Sequence, residues 1–378
     1  MVNDRTRIKL LLVISFVVLA GTAFMPSTAF TENDASRSFE ECLPLAKQGD
    51  AGAQFDIAFM YYNGQGAPQN FKEAAKWCRK AAEQGMAVAQ SRLGAMYFSG
   101  MGVPQDYNNS AKWYRKAAEQ GDSGAQHFLG AIMYFDGKGV PQDYKESTKW
   151  CRKAAEQGVI EAQLHLCNIY SMGKGVPQDD KEAAKWCRKA AEQGAAMAQH
   201  FLGAMYFDGT GVPQDYKESI KWFRKSAEQG DTDSQLNLGA IYSSGDTVPQ
   251  DYKEAAKWFR KAAEQGNVEA QSFIGHMYSL GRGVPQDYKE AMKWSCKAAE
   301  QGNASSQEFL GITIYGLGNG VPQDYVESYA WLNISAAQGS KNASDARDFI
   351  AKQLSSEALA KAQELSKEYY KKYVEPFQ

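Results

Sequence analysis

Eight tryptophans (Trp77, Trp113, Trp150, Trp186, Trp222, Trp258, Trp294 and Trp331) follow one another at intervals of 36 or 37 residues, and the chain holds no others. Eight of the eleven prolines keep the same interval, from Pro68 through Pro104, Pro141, Pro177, Pro213, Pro249 and Pro285 to Pro322. A chain of 378 residues would otherwise be divided into two or three independent domains. A fixed period of this length points instead to one supersecondary unit written eight times, each copy hiding its apolar face against the next.

One copy, "AMAQHFLGAMYFDGTGVPQDYKESIKWFRKSAEQGD" (residues 196–231), shows how the unit is built. Met197, Phe201 and Met205, then Ile220, Phe223 and Ala227, recur at helical spacing and predict two amphipathic helices. Gly209 and Gly211 supply left-handed backbone after the first helix, and Pro213 prevents its continuation. Asp215 is placed to cap the second, with Glu218 three residues on. The G-x-G is therefore a turn device: no strand precedes it and no P-loop Lys-Ser/Thr pair follows. A glycine inside the first helix (Gly94, Gly130, Gly203, Gly239, Gly275, Gly311) costs about 1 kcal/mol relative to alanine. It predicts close approach by another backbone, with paired alanines such as Ala255 and Ala256 as counterpart and Trp222 covering the contact. Two copies, "LGAIMYFDG" (129–137) and "LGITIYGLG" (310–318), carry one extra residue while the following turn keeps its length, which predicts a π-bulge. Lys253, Glu254, Lys257, Arg260, Lys261 and Glu264 read as a solvated face with an Arg260–Glu264 pair.

The stretch "LGAMYFSGMGVPQDYNNSAKWYRKAAEQG" (93–121) resembles the Sel-1-like repeat, a relative of the tetratricopeptide repeat, and the resemblance runs from about Ala51 to Gly339. It implies an all-α fold, an α/α superhelical solenoid of eight helix-turn-helix repeats with helical caps. Departures are local: Cys167 replaces the helix glycine, Thr247 the second turn glycine, and Asp180 the aromatic residue that begins the second helix elsewhere. Residues 39–50 resemble half a unit and are expected to cap the first hairpin, with Pro44 distorting that helix. Residues 51–340 hold the eight repeats. Residues 341–378 are expected to cap the far end, through "SSEALAKAQELSKEYYKKY" and its stripe of Leu359, Ala362 and Leu365.

At the start, Arg5, Arg7 and Lys9 precede the apolar run "LLLVISFVVLAGTAF", with small residues at Ser27 and Ala29. Residues 1–29 thus read as a secretory signal peptide and 30–38 as a polar linker, so the protein is expected to be exported, periplasmic or secreted. The formal net charge of −2 and the lack of a basic stripe argue against a nucleic-acid partner. Six cysteines in an exported chain raise the question of disulfides. Cys42, Cys78, Cys151 and Cys187 share one slot, filled elsewhere by Tyr114, Phe223, Phe259, Ser295 and Leu332, so cysteine serves there as a small hydrophobe. Cys151–Cys167 is the one bridge to consider, and Cys296, in a slot that is mostly arginine, is expected to be exposed and unpaired.

The resemblance implies a scaffold or adaptor that binds a protein or peptide, and an extended repeat array independently offers a long concave surface for that role. If first helices line it, the variable positions are those two before the leucine of L-G and five or six after it. They give Phe98, His127, Phe135, Asp136, His200, Phe207, Asp208 and Leu236 as candidate contacts. Aromatic and acidic residues side by side suit an amphipathic, somewhat basic partner segment, while a competing reading has the rings pack only between helices. Catalysis has thin support. Ser171 and Lys174 match S-x-x-K with neither S-D-N nor K-T-G, which is all that favours a β-lactamase-like hydrolase of the cysteine-rich repeat type. His127, His165, His200 and His276 fall in four different copies, so no zinc-binding pair is expected. The expectation is a non-enzyme without cofactor, metal or small-molecule substrate, touching a membrane only through an uncleaved signal peptide. Ser171→Ala assayed on a chromogenic β-lactam checks it: a hydrolytic rate in the parent that the variant loses would establish the hydrolase.

Overall fold

The computed structural model describes residues 37–377, so the signal-peptide reading of residues 1–29 lies outside the described residues. All regular elements among them are helical. They divide into two compact units, one ending at Gln178 and one beginning at Asp179. In the first, a helix at Phe39–Gln48 precedes three hairpins (51–63 with 71–83, 87–99 with 107–119, 123–134 with 144–156) and the helix Ile160–Met172. In the second, the helix Asp180–Glu192 precedes four hairpins (196–208 with 216–228, 232–244 with 252–264, 268–280 with 288–300, 304–316 with 325–337). Lys341–Ala351 and Ser356–Tyr373 close it.

Each hairpin turn is made as its residues dictate. Gly209 ends its helix at φ +74° with its N–H on the Met205 carbonyl, and the Asp215 carboxylate accepts from the backbone N–H groups of Lys217 and Glu218. The second glycine of the turn has a further reason. At Gly283, φ is +72° and a Cβ would overlap the Tyr252 carbonyl oxygen, so the loop lies directly against the start of the preceding hairpin's second helix. Thr247, in the same place one hairpin earlier, is not left-handed, since among the described residues none other than glycine has positive φ.

Two glutamines per hairpin connect it to the one before. Gln90 donates its amide N–H to the Ala82 carbonyl at 3.1 Å, in the last turn of the preceding hairpin, and accepts from Gln120 of its own hairpin at 2.7 Å. The pattern repeats with Gln126 and Gln157 in the first unit, and with Gln199 and Gln229, Gln235 and Gln265, Gln271 and Gln301, Gln307 and Gln338 in the second. Each of these carbonyls also accepts the N–H of the glycine that follows its helix, so the amide adds a second donor that comes from the neighbouring hairpin.

The helix glycine meets a different counterpart from the expected alanines. A Cβ at Gly203 would stand 2.8 Å from the Phe223 ring and one at Gly239 2.5 Å from the Phe259 ring, so the residue after each tryptophan fills the space. At Gly130 a Cβ would lie 2.6 Å from the Cys151 sulfur and 2.9 Å from its amide nitrogen, so side chain and backbone together fill the space. Cys151 thereby packs on its own hairpin. All six cysteines are free, so the Cys151–Cys167 bridge is not formed. Cys296 is half-buried beside Leu310, Ile314 and Trp331 rather than exposed, and burial pushes its thiol up to about 11, with Glu300 and Glu327 adding to the effect.

The charged face of the second helix also differs from expectation. Arg260 donates to the Tyr278 hydroxyl of the following first helix instead of pairing with Glu264, as Arg224 does to Tyr242 at 2.8 Å. Lys261 lies over the Trp258 ring, 4.5 Å from its centroid, and Glu254 accepts from the Trp258 indole N–H at 3.2 Å. Both predicted π-bulges are present, at Leu129–Tyr134 and Leu310–Gly316. Pro44 sits inside an unbroken helix that Ser38 and Glu41 start with a reciprocal capping box. At the far end Ala362 is buried and Leu359 packs on the cluster of Tyr329, Leu332 and Ile350, with Leu365 half-buried. Tyr369 and Tyr373 cover Trp331, with ring centroids 4.6 and 5.6 Å away.

These turns predict unequal costs for one substitution. Gly266→Ala, at φ +91° with open space around it, should lose about 1 kcal/mol from strain alone. Gly283→Ala should lose about 2 kcal/mol more, because the methyl group has to displace backbone; denaturant midpoints followed by tryptophan fluorescence measure both.

Candidate interaction surface

The positions two before the leucine of L-G, and five or six after it, divide into exposed and interior sets. Phe98 is half-buried, edge-on to Phe128 at 4.9 Å and 5.2 Å from Tyr107, with Lys138 over its ring. Phe135 is edge-on to Tyr144 and His165, at 5.2 and 4.6 Å, and Phe207 is edge-on to Tyr216 at 5.4 Å. Each ring therefore packs on the tyrosine opening its own second helix and keeps part of its surface in solvent. Asp136 and Asp208, next in sequence, are exposed, and partial desolvation raises both carboxyls, with Lys138 opposing the rise at Asp136.

Three of the expected contact residues face inward. His127 is 7% exposed, and burial pushes its imidazole down to about 4 against the pull of Glu161. It lies inside the first unit near His165, which burial, His127 and Lys174 push down to about 3. The helical period alone does not distinguish this interior slot from the open one beside it. His200 is largely buried, its Nδ1 2.9 Å from the Ser234 hydroxyl and 3.2 Å from Asp231. Burial pushes the Asp231 carboxyl up, but hydrogen bonds from His200 and Ser234 outweigh it and hold the group at about 2. Leu236 is half-buried against the cluster of Ala255, Phe259 and Ile274. The first unit thus brings Phe98, Phe135 and Asp136 to its surface, and the second brings Phe207 and Asp208.

The same register holds residues not singled out in the sequence. Ser272 and Glu308 occupy the position of His127 and His200, and they line a cleft of about 350 Å³ with His276, Phe309, Thr313 and Asn342. Burial, then Arg282, lowers the His276 imidazole. Their legible signal was Glu308 itself, the one carboxylate at that register position. The Lys174 ammonium of the S-x-x-K tetrapeptide lies over the rings of Phe135 and Tyr144, 5.2 and 5.8 Å from their centroids. No group of three His, Cys, Asp or Glu among the described residues is arranged to hold a metal ion.

The family model for the Sel1 repeat matches eight times, at residues 51–86, 87–122, 123–159, 160–194, 196–231, 232–267, 268–303 and 304–340. The chain belongs to the Sel1 repeat family. A Sel1 repeat protein from Oxalobacter formigenes is 35% identical over 83% of this chain and 90% of its own, with a TM-score of 0.64. A protective antigen of uropathogenic Escherichia coli strains, described as displaying an SLR fold, is 33% identical over 89% of this chain and 88% of its own, with a TM-score of 0.48. No curated protein matches the chain. Sel1 repeats typically form protein-interaction modules, and that is the class of function shared here.

The buried histidines give this Sel1 repeat chain a pH dependence whose sign is fixed. His127 and His165 stay neutral in the folded protein down to about 4 and about 3, whereas unfolded imidazoles take up protons below about 6.5. The unfolded state therefore binds more protons in between, and stability of the first unit falls as pH drops from about 6.5 towards 4. Denaturant midpoints at a series of pH values should fall less steeply for the His127→Leu, His165→Leu double variant than for the parent.

Proposed function

We propose that the protein is a non-enzymatic scaffold, exported from the cell, that captures a protein or peptide segment on the concave face lined by its first helices. The observation that carries this reading is the repeated pairing of a half-exposed ring with an exposed carboxylate, Phe135 with Asp136 and Phe207 with Asp208, at one register position. Such pairs match an amphipathic partner segment whose apolar residues meet the rings and whose basic residues meet the carboxylates. The rings also serve intramolecular packing, so they are held rigidly and lose little side-chain entropy when a partner binds. Export is supported by the charged, apolar and small-residue order of residues 1–29.

Two experiments test the two halves of the proposal. Phe135→Ala, Asp136→Asn, Phe207→Ala and Asp208→Asn combined should cut the amount of partner recovered from the envelope and medium by about tenfold while helicity is retained. Undiminished recovery by the folded variant would rule out this face. Deleting residues 2–29 should keep the protein inside its cell, and undiminished export of the shortened chain would remove the localisation.

A further inference from the structure

We propose that the cleft between the hairpins at 268–300 and 304–337 is a receptor for a lysine side chain of the partner segment, with Glu308 as the counter-charge. This deepens the scaffold reading and rests on it. Glu308 comes to the cleft already oriented. Its Oε2 accepts from the Ser340 hydroxyl, and its Oε1 accepts from the Asn342 amide. Both donors are neutral, and among the described residues no lysine, arginine or histidine nitrogen lies within 4.0 Å of Glu308. A fixed carboxylate without a cation, on the wall of a concave site, is a preorganised acceptor for one.

The rest of the cleft fits the same guest. His276 is the other ionisable group on the wall, and its lowered imidazole is neutral at pH 7, so it does not cancel the carboxylate. Phe309 and Ile312 offer apolar surface to a four-carbon stem, and the Ser272 and Thr313 hydroxyls can accept from an ammonium group, which has three donors to place. Each oxygen of Glu308 already accepts one hydrogen bond, which occupies part of the paired geometry that a guanidinium fork requires and leaves single sites suited to an ammonium. A volume of about 350 Å³ lies at the small end of ligand sites, suited to one side chain rather than to a folded domain or a cofactor.

The test uses the full chain and a fluorescein-labelled peptide, Gly-Gly-Leu-Lys-Leu-Gly-Gly, read by fluorescence anisotropy at fixed salt. Acetylating the lysine should weaken binding about tenfold, and Glu308→Gln should weaken the unmodified peptide by the same factor. In that variant, acetylation should then make no further difference. Glu364→Gln makes the same change of charge at an exposed site on the last helix and should have no effect. Ser272→Lys, which supplies an ammonium from the cleft wall, should block the peptide without touching the Ser340 and Asn342 contacts. Thermal melting of each variant separates lost binding from lost folding. Equal affinity for both peptides, unchanged binding by a folded Glu308→Gln protein, or an equal loss in Glu364→Gln would overturn the proposal. If Phe207→Ala with Asp208→Asn abolishes peptide binding while Glu308→Gln does not, the lysine receptor fails and the scaffold reading stands.

Discussion

From Ala82 to Ala299, each second helix but the last offers a carbonyl of its final turn to a glutamine amide of the next copy, beside the glycine N–H that the same carbonyl accepts. This interaction favours one register between neighbours, because a hairpin shifted by one residue would leave the buried glutamine amide without its acceptor, while the carbonyl keeps the glycine N–H of its own turn. Tryptophans and alanines recur throughout the buried apolar clusters, yet apolar contact is non-directional and tolerates sliding. The amides do not. The fastening glutamine belongs to the first helix of the next copy, as Gln90 does, and the glutamine of the A-A-E-Q-G stretch, as Gln120, donates to it in turn.

Beside that fastener, the slot after each tryptophan meets the glycine of the first helix with side chains of several sizes. A Cβ at that glycine would meet the ring of Phe223 or Phe259 first, and both side chain and backbone at Cys151 and Ser295. Cysteine in this slot is thus one size among several. Burial pushes the Cys78 and Cys151 thiols up to about 12, which leaves them as inert as the residues they replace.

Periodicity made the fold legible because each copy repeats the same helix starts, stops and glycines, and the extra residues at 129–137 and 310–318 could be placed inside helices from turn length alone. Contacts between copies were less legible. Arg260 was expected to serve its own helix through Glu264, but the phenol of Tyr278 lies within reach of its guanidinium on the adjacent hairpin, and no single-helix argument sees it. Pro44 was expected to distort its helix, which runs without a break from Phe39 to Gln48 behind its capping box. For the surface, counting from the leucine could not separate Asp208, which is open, from His127, which is buried. Glu308 falls under the same count, but its contacts with Ser340 and Asn342, more than thirty residues away, are invisible to it.

The arginine–tyrosine contact is repeated almost unchanged from Arg79 and Tyr97 to Arg260 and Tyr278. A bond spelled identically in six successive copies carries no address. Any arginine of the set would satisfy any tyrosine, so a chain refolding from a dilute unfolded pool meets wrong neighbours as attractive as the right ones. Emergence of the chain in order, N-terminal end first, would resolve the ambiguity by timing, since each new hairpin would find its predecessor already formed and its later rivals not yet present.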